Sequence, residues 1–502
     1  MDEKSALGSQ LESFRDARRD IEAAVLPLAT SVDGRRFSFQ ASLHDLELQA
    51  GGYAVLDDGG TRRLGQVLSV ELDQQLAGEL TLPPSAGGGP VARTELQVRY
   101  ARGEGIIVDG SSAPFHDALI HPAAGSDVRE WQERETGPYA QLRLGELALA
   151  PGVPCVADAA GFNRHTFLCG QSGSGKTYSL GVILERLLTE TDLRMVIFDP
   201  NSDFTRLGEV RPGADPALAG RYRQAARGVT VYSADAHGER RLRLHAADVE
   251  PATQAAALRL SPIADREEYA ALEAMLASQD PPTIEALTES DLPEAVRLGL
   301  RIKNLGVDRY SVWAPGESGS VLDAVHDPSV RCVVIDLGSL PSREEQSLVA
   351  ATVLGDLWRR RQERDPILIV IDEAHNVCPA DPPDPLAAVA TGHAIRIAAE
   401  GRKFGLYLLL STQRPQKIPE NVLSQADNLV LMRLNSLADA AFAEAVFSFV
   451  PPSLIERSAI FRQGEALIAG KISPRQPALL RFGARISEEG GADVPATWAA
   501  RR

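Results

Sequence analysis

Only four cysteines occur among 502 residues, at Cys155, Cys169, Cys332 and Cys378. They are scattered, so no pair has the spacing of a zinc site or a redox dithiol. Two lie in apolar runs and read as small core residues, which suits a reducing cytosol and a cytoplasmic location. His165 and His393 likewise have no partner at zinc-ligand spacing. Long apolar runs are missing too: none approaches the roughly 20 residues needed to cross a bilayer. The opening Met1-Asp2-Glu3-Lys4-Ser5 lacks the apolar stretch of a signal peptide. Positive charge is in deficit, with 52 Lys and Arg against 68 Asp and Glu, a formal net charge of −16. That excludes a basic protein that coats nucleic acid without selectivity. It leaves open DNA held inside a ring, where only the pore must be positive. No internal repeat is present.

The composition that remains is that of a soluble globular chain, 44% hydrophobic and 24% charged, long enough for two to four domains. Residues 10–26 read as one amphipathic helix carrying Leu11, Phe14, Ile21 and Val25 on one side. Period-two patterning then takes over. Phe37 and Phe39 alternate with Arg36, Ser38 and Gln40; Leu68, Val70 and Leu72 alternate with Ser69 and Glu71; Leu96, Val98 and Tyr100 alternate with Gln97 and Arg99. Gly-Gly, Asp-Gly and Pro-Pro turns divide these runs, so 30–155 is expected to form a small β-barrel or sandwich, with Pro84–Pro90 as a loop. From 156 to 482 strands alternate with helices, which implies a mostly parallel sheet. Its strands are expected at 164–169, Arg194–Phe198, Cys332–Ile335, Ile367–Ile371, Leu406–Leu410, Leu429–Leu434 and Ala466–Ala469. Between about 245 and 327 the strand signal lapses. Ala255–Leu260, Glu267–Leu276, Ile284–Leu287 and Leu292–Ile302 read as short helices of an insertion. Residues 483–502 read as a polar tail with one aromatic, Trp498.

The most informative segment is Gly170-Gln171-Ser172-Gly173-Ser174-Gly175-Lys176-Thr177. It fits the phosphate-binding loop G-x-x-x-x-G-K-[ST] without a mismatch. Glycines let successive N–H groups converge on one phosphate, and the helix that follows offers the positive end of its dipole to the same anion. Gly170, Gly173, Ser174 and Gly175 supply that cradle. Lys176 is placed to reach the β- and γ-phosphates and Thr177 to offer its hydroxyl to Mg²⁺. A strand before and Leu180, Ile183, Leu184, Leu187 and Leu188 at helical spacing after complete the context, so ATP with Mg²⁺ is the expected cofactor pair.

An apolar strand, Ile367–Ile371, delivers Asp372-Glu373-Ala374-His375. Asp372 is expected to hold Mg²⁺ through water, and Glu373 to polarise the attacking water as general base. His375 is given no catalytic part. Leu406–Leu410 leads into Ser411-Thr412-Gln413-Arg414-Pro415, where Gln413 can touch the γ-phosphate and report hydrolysis. Between these strands, Glu400-Gly401-Arg402-Lys403-Phe404-Gly405 forms a bend able to project a guanidinium. In ring ATPases such an arginine enters the neighbour's site, worth roughly 10³–10⁵ in rate. Arg164 is a second arginine of this kind. Asp199, in Asp199-Pro200-Asn201-Ser202-Asp203-Phe204, can stand behind the metal's own ligands or simply form a turn.

In this order these features resemble the HerA branch of the HerA/FtsK family of ring ATPases that pump DNA. The resemblance runs over roughly 30–482: a barrel like the family's HAS barrel, the phosphate loop, an Asp-Pro-x-x-[DE]-[YF] element, a helical insertion, Asp372-Glu373-Ala-His, Glu400-Gly-Arg-Lys-Phe-Gly and Ser411-Thr-Gln-Arg-Pro. It implies an α/β fold with a RecA-like P-loop core, and a homohexamer with double-stranded DNA through its centre and ATP sites between subunits. By that likeness Lys176, Thr177, Asp372, Glu373 and Gln413 serve the site in cis and Arg402 in trans. It implies a DNA translocase or helicase with a partner nuclease of the NurA type, or another effector, in DNA end processing or anti-phage defence. The leading helix and the acidity depart from the better-known members.

Three other readings compete. A two-lobed helicase would need a second RecA-like lobe after the Asp-Glu-Ala-His string, and only 127 residues follow His375. A nucleotide-gated scaffold would organise an effector without moving along DNA. A secretion-type ATPase would pump DNA at a membrane, for which the chain has no membrane segment.

Overall fold

A computed structural model of the chain describes residues 12, 15–16, 18–82, 92–110, 113–276, 293–314, 319–473 and 476–491. Six strands close a barrel: β1 (Leu28–Ser31), β2 (Arg36–Ala41), β3 (Tyr53–Asp57), β4 (Arg62–Leu82), β5 (Ala92–Ile107) and β6 (Phe115–Pro122). Their order is β1-β2-β5-β4-β3-β6, with antiparallel pairing at every seam. Strand alternation sets the inside: Phe37, Phe39 and Ala41 are buried while Arg36, Ser38 and Gln40 face solvent. Gly103 and Gly105 leave room for those rings, since an added Cβ would sit 2.4 Å from Phe39 and 2.2 Å from Phe37. The β4–β5 pair continues past the barrel as a two-stranded ribbon, from Glu71 opposite Arg102 to Leu82 opposite Ala92. On that ribbon Leu72 is 64% exposed, so its alternation there does not lead to burial.

The other eleven strands form one sheet: β7 (Gln141–Leu147), β8 (Pro154–Asp158), β9 (His165–Cys169), β10 (Arg194–Asp199), β11 (Val229–Ser233), β12 (Cys332–Asp336), β13 (Ile367–Ile371), β14 (Leu406–Thr412), β15 (Ala426–Leu431), β16 (Glu465–Gly470) and β17 (Ala478–Phe482). The order is β11-β12-β10-β13-β14-β9-β15-β16-β17-β7-β8. From β11 to β15 every pair is parallel, and from β15 to β8 every pair is antiparallel. The central strands β10, β12 and β13 are near-continuous apolar runs because both faces are covered. Val196, Phe198, Ile369, Ile371, Leu408 and Leu410 enter one core with the helices at Arg343–Arg359 and Pro385–Glu400. Met195, Ile197, Leu368, Val370 and Leu409 enter another, with the helix at Lys176–Glu190. This is the α/β, RecA-like P-loop architecture expected from the sequence, and all four cysteines lie buried and free in it.

Four details refine or correct the sequence reading. The barrel strands end at Pro122, not near 155: β7 hydrogen-bonds to β17, and β8 to β7, inside the large sheet. Alternation marks a half-buried strand but not the sheet it joins. The insertion's helices at Pro251–Ala257, Arg266–Leu276 and Pro293–Leu305 share a small core of their own, built on Leu258, Leu272, Leu298 and Ile302; the helix expected at Ile284–Leu287 lies outside the described residues. The N-terminal helix docks through a carboxylate: Glu22 is 4% exposed and accepts from the Arg99 backbone N–H at 3.1 Å, while Ile21 is 42% exposed. Leu11 and Phe14 lie outside the described residues.

The fourth concerns the segment after β17, expected to be a loose tail. Arg485 and Ser487 are each 1% exposed. Glu185, fully buried on the phosphate-loop helix, accepts from the backbone N–H of Ile486 at 2.9 Å and of Ser487 at 2.6 Å. Its carboxylate also lies 3.8 Å from Arg485 Nε. Gly181 makes the space, for an added Cβ would fall 2.5 Å from that nitrogen. Trp498 lies outside the described residues. Removing one member of a buried ion pair strands the other, at a cost of about 3–5 kcal/mol. Glu185→Ala is therefore expected to lower the free energy of unfolding by that order and shift the midpoint down with it. A midpoint within error of the parent's in urea titration would show that the pair holds nothing.

Candidate nucleotide site

The phosphate loop leaves the C-terminal end of β9 and turns into the helix at Lys176. Gly173 and Gly175 sit at φ 73° and 91°, the left-handed region that side chains avoid. The loop is held from behind: Gln171 N–H donates to the Arg433 carbonyl at 3.0 Å, and Gly464 N–H donates to the Ser174 carbonyl at 2.9 Å. Gly170 packs with no room for a Cβ, which would lie 2.7 Å from Met432. Ser174 is fully buried and its hydroxyl has no partner among the described residues.

Three strand ends converge on Lys176. Its ammonium donates to Asp372 Oδ1 at 2.8 Å and to Ser411 Oγ at 3.1 Å, and lies 3.0 Å from Glu373 Oε1. Asp372 Oδ1 also accepts from Ser411 Oγ at 2.7 Å. Gln413 Nε2 donates to Glu373 Oε1 at 2.7 Å. The register that lines up β13, β14 and β9 brings these groups together from positions 176, 372–373 and 411–413. Burial pushes the Lys176 ammonium toward neutrality, but the two carboxylates outweigh it and raise its pKa. Glu373 has φ 40° and ψ 51°, a left-handed backbone for a residue with a full side chain. Strain of that kind collects at functional sites. His375 Nδ1 lies 3.2 Å from Glu373 Oε2 and 3.0 Å from Thr412 Oγ1.

Two acceptor atoms are left over. Asp372 Oδ2 and Glu373 Oε2 are buried without a hydrogen-bond partner among the described residues. No group of three His, Cys, Asp or Glu suited to a metal occurs among the described residues. A cation here would therefore be shared with phosphate oxygens, as Mg²⁺ usually is. The free Asp372 oxygen and the Thr177 hydroxyl fit that demand.

Of the two uses open to Asp199, the geometry matches the turn. Its two oxygens accept from the backbone N–H of Asp203 at 3.0 Å and of Phe204 at 2.8 Å, capping its own loop. It is absent from the lining of the nucleotide cleft. Asp203, likewise absent from that lining, has its carboxyl pushed up to about 6 by burial and the Asp372 charge, against the pull of Lys176. Burial raises Asp199 to about 7, although the two N–H donors oppose this.

Arg402 and Arg164 stand elsewhere. Both reach Asp427: Arg402 through Nη1, and Arg164 through Nε at 3.5 Å. Arg402 precedes β14, Arg164 precedes β9, and Asp427 lies at the start of β15, so all three sit at the N-terminal ends of neighbouring parallel strands. Lys176, Asp372, Glu373 and Gln413 follow the C-terminal ends. His165, beside Arg164, is buried and its Nδ1 accepts from Leu408 N–H at 2.9 Å; His393 pairs with Glu250 at 2.5 Å. Both are structural. Sequence reasoning missed Ser411 and the contribution of 481–489. Ser411 had a signal, since it opens the Ser-Thr-Gln-Arg-Pro element.

With this geometry in hand, the comparisons have a place. Residues 142–304 match the family described as "Helicase HerA, central domain". The chain is 31% identical over 185 residues to the DNA double-strand break repair helicase HerA of Sulfurisphaera tokodaii, covering 35% of this chain and 36% of that one. Against the protein of that name from Saccharolobus solfataricus it is 24% identical over 384 residues, 72% of this chain and 73% of the relative. Among solved structures, VirB4 of Thermoanaerobacter pseudethanolicus superposes with a TM-score of 0.48 at 16% identity, covering 70% of this chain and 97% of that one. The stretch shared with the first relative thus spans little more than a third of its length, and with the second nearly three quarters. The recognisable core of this chain is HerA-like.

The carboxyl shifts make a pH prediction. A group whose folded pKa lies above its ordinary 3.8 stabilises the fold when protonated, and that contribution fades as pH rises through the folded value. For Asp199 the window runs from about 4 to about 7. Without Mg²⁺ or nucleotide, the thermal midpoint of Asp199→Asn should fall less between pH 5 and 8 than the parent's. Parallel curves would show that Asp199 ionises normally.

Proposed function

We propose that this chain is an ATPase that assembles as a homohexameric ring and moves along double-stranded DNA, working with a partner nuclease or another effector. Its likeness to DNA repair helicases of the HerA type supports DNA as the substrate. The observation that carries the assembly is the placement of Arg402 and Arg164. A strand rises about 3.3 Å per residue, so β9 and β14 hold these arginines on the order of 15–20 Å from the Lys176 end of the sheet. They cannot serve their own chain's phosphates. They can serve a neighbour's, if protomers meet edge to edge with Asp427 as the resting counter-ion.

On this reading the phosphate loop binds ATP, and the incoming phosphates take Lys176 from Asp372 and Glu373. Thr177 and the free oxygen of Asp372 hold Mg²⁺, which when bound neutralises charge developing on the β- and γ-phosphates. Glu373, released from Lys176, accepts a proton from the attacking water. Its strained backbone and its bond to Gln413 fix the carboxylate's direction. Gln413 then reports loss of the γ-phosphate along β14. Arg402 of the neighbouring protomer stabilises the transferring phosphoryl. Because that cation arrives from outside, turnover depends on assembly.

Three experiments test the reading. Glu373→Gln should bind ATP yet lose about 10²–10⁴ in turnover, the usual contribution of a general base; near-normal turnover would remove Glu373 from that role. Arg402→Ala should lose about 10³ or more while still binding nucleotide. Mixing it with Lys176→Ala, which lacks phosphate binding but keeps its arginine, should restore activity at the hybrid interfaces. No recovery at any ratio would sink action in trans. For the parent, duplex DNA should stimulate turnover, whereas a pure scaffold would be indifferent to it.

A further inference from the structure

The nucleotide cleft is longer than a triphosphate requires. It has a volume of about 590 Å³, and runs from Gln413 past Gly173, Gly175–Thr177 and Tyr178 to Gln463, Gly464, Arg481–Ala484 and Glu489; Arg481 there is already paired with Glu465 at 3.1 Å. On the reading above, Lys176, Asp372, Glu373 and Gln413 fix the phosphate end. What faces 482–489 must then be the nucleoside. The carboxylate of Glu489 fits only there: beside phosphates it would repel, whereas a carboxylate accepts hydrogen bonds well from ribose hydroxyls.

Glu489 is held in place by a built support. Arg485 Nη1 lies 3.3 Å from Glu489 Oε1, and the guanidinium is itself fully buried. Arg485 Nε donates to Ser487 Oγ at 3.0 Å, and Nη1 reaches the carbonyl of Thr177 at 3.5 Å. Its backbone N–H donates to Tyr178 Oη at 2.7 Å, and the guanidinium lies 5.5 Å from the centre of the Phe204 ring. On the far side of Glu489 the chain is pinned again. Gly490 N–H donates to the Asp203 carbonyl at 3.0 Å, and an added Cβ on Gly490 would sit 2.0 Å from the Ser202 carbonyl. Glu489 therefore projects from a strap clamped to the phosphate-loop helix on one side and to the Asp199–Phe204 loop on the other. Its own side chain remains 40% exposed.

We propose that residues 484–491 form the nucleoside wall of the site, and that Glu489 selects ribonucleoside triphosphates by accepting from the ribose hydroxyls. This rests on the nucleotide-binding reading, so the test uses binding and not turnover. Calorimetric titration of the Glu373→Gln protein with Mg-ATP and Mg-2′-deoxy-ATP should show ATP binding at least about tenfold tighter, as expected for one hydrogen bond to a charged group. Adding Glu489→Ala should weaken ATP and bring the two affinities together, and a 2′-deoxy-ATP affinity that stays near the parent's value separates this from a loss of folding. Equal affinities in the parent, or a preference that survives Glu489→Ala, overturns the assignment while leaving the phosphate loop intact. If neither nucleotide binds the parent, the phosphate-loop reading fails first and takes this one with it.

Discussion

A parallel sheet sends the C-terminal ends of all its strands to one edge, and everything about this site follows from that polarity. β9, β13 and β14 each end there, and each delivers one part: the phosphate loop, Asp372 with Glu373, and Ser411 with Gln413. The same polarity sends whatever precedes those strands to the opposite edge. Arg164 and Arg402 are the residues that do, and Asp427 at the start of β15 gathers them. On the proposed reading one chain thus carries both halves of a phosphate-transfer site and cannot bring them together, whereas a second copy could, so that strand direction alone would call for assembly.

Lys176 sits in a closed electrostatic knot. A lysine that is 5% exposed needs compensation, because an isolated buried charge costs several kcal/mol. Asp372 and Glu373 supply it, Ser411 fills the remaining donor position, and Gln413 steadies Glu373. An arriving triphosphate offers Lys176 a stronger partner and returns both carboxylates to other work. The free oxygen of Asp372 and the strained backbone of Glu373 are what a site prepared for that exchange would keep in reserve. Glu373 alone touches Lys176, Gln413 and His375, so it stands where a change at the phosphate can be felt in two strands.

Much of this was legible in the sequence because the signals are local. The phosphate loop is eight consecutive residues, and the Ile367–Ile371 run with Asp372-Glu373 is seven. Two-sided burial writes itself as unbroken apolar runs. What was not legible is what depends on distant partners. Strand β7 alternates like a barrel strand, and nothing within Gln-Leu-Arg-Leu-Gly-Glu-Leu says that β17 will claim it. β11 went unnoticed because Val229–Ser233 is a half-exposed edge strand with a mixed pattern. Asp199 looks like a metal-site acid in its motif, and only the backbone geometry shows both oxygens occupied. Arg485 reads as one more charge in a polar tail until Glu185, three hundred positions away, is seen opposite it.

The acidity of the chain also acquires a local meaning. A net charge of −16 is spread over the whole surface, whereas contact with a polyanion needs cations only where the contact is made. Arg343, Arg414 and Lys417 line one cleft of about 390 Å³ together with His375 and the two acids Asp381 and Asp384. Arg301, by contrast, is engaged by Asp265 at 2.9 Å and Glu268 at 2.8 Å within the insertion. His375 belongs to both the cationic cleft and the nucleotide site, since its Nδ1 lies 3.2 Å from Glu373. A displacement of Glu373 on phosphate binding therefore reaches the cations through one imidazole. On the proposed reading, that is the shortest physical route by which ATP turnover in this chain can alter its grip on DNA, and it requires no rearrangement of the sheet.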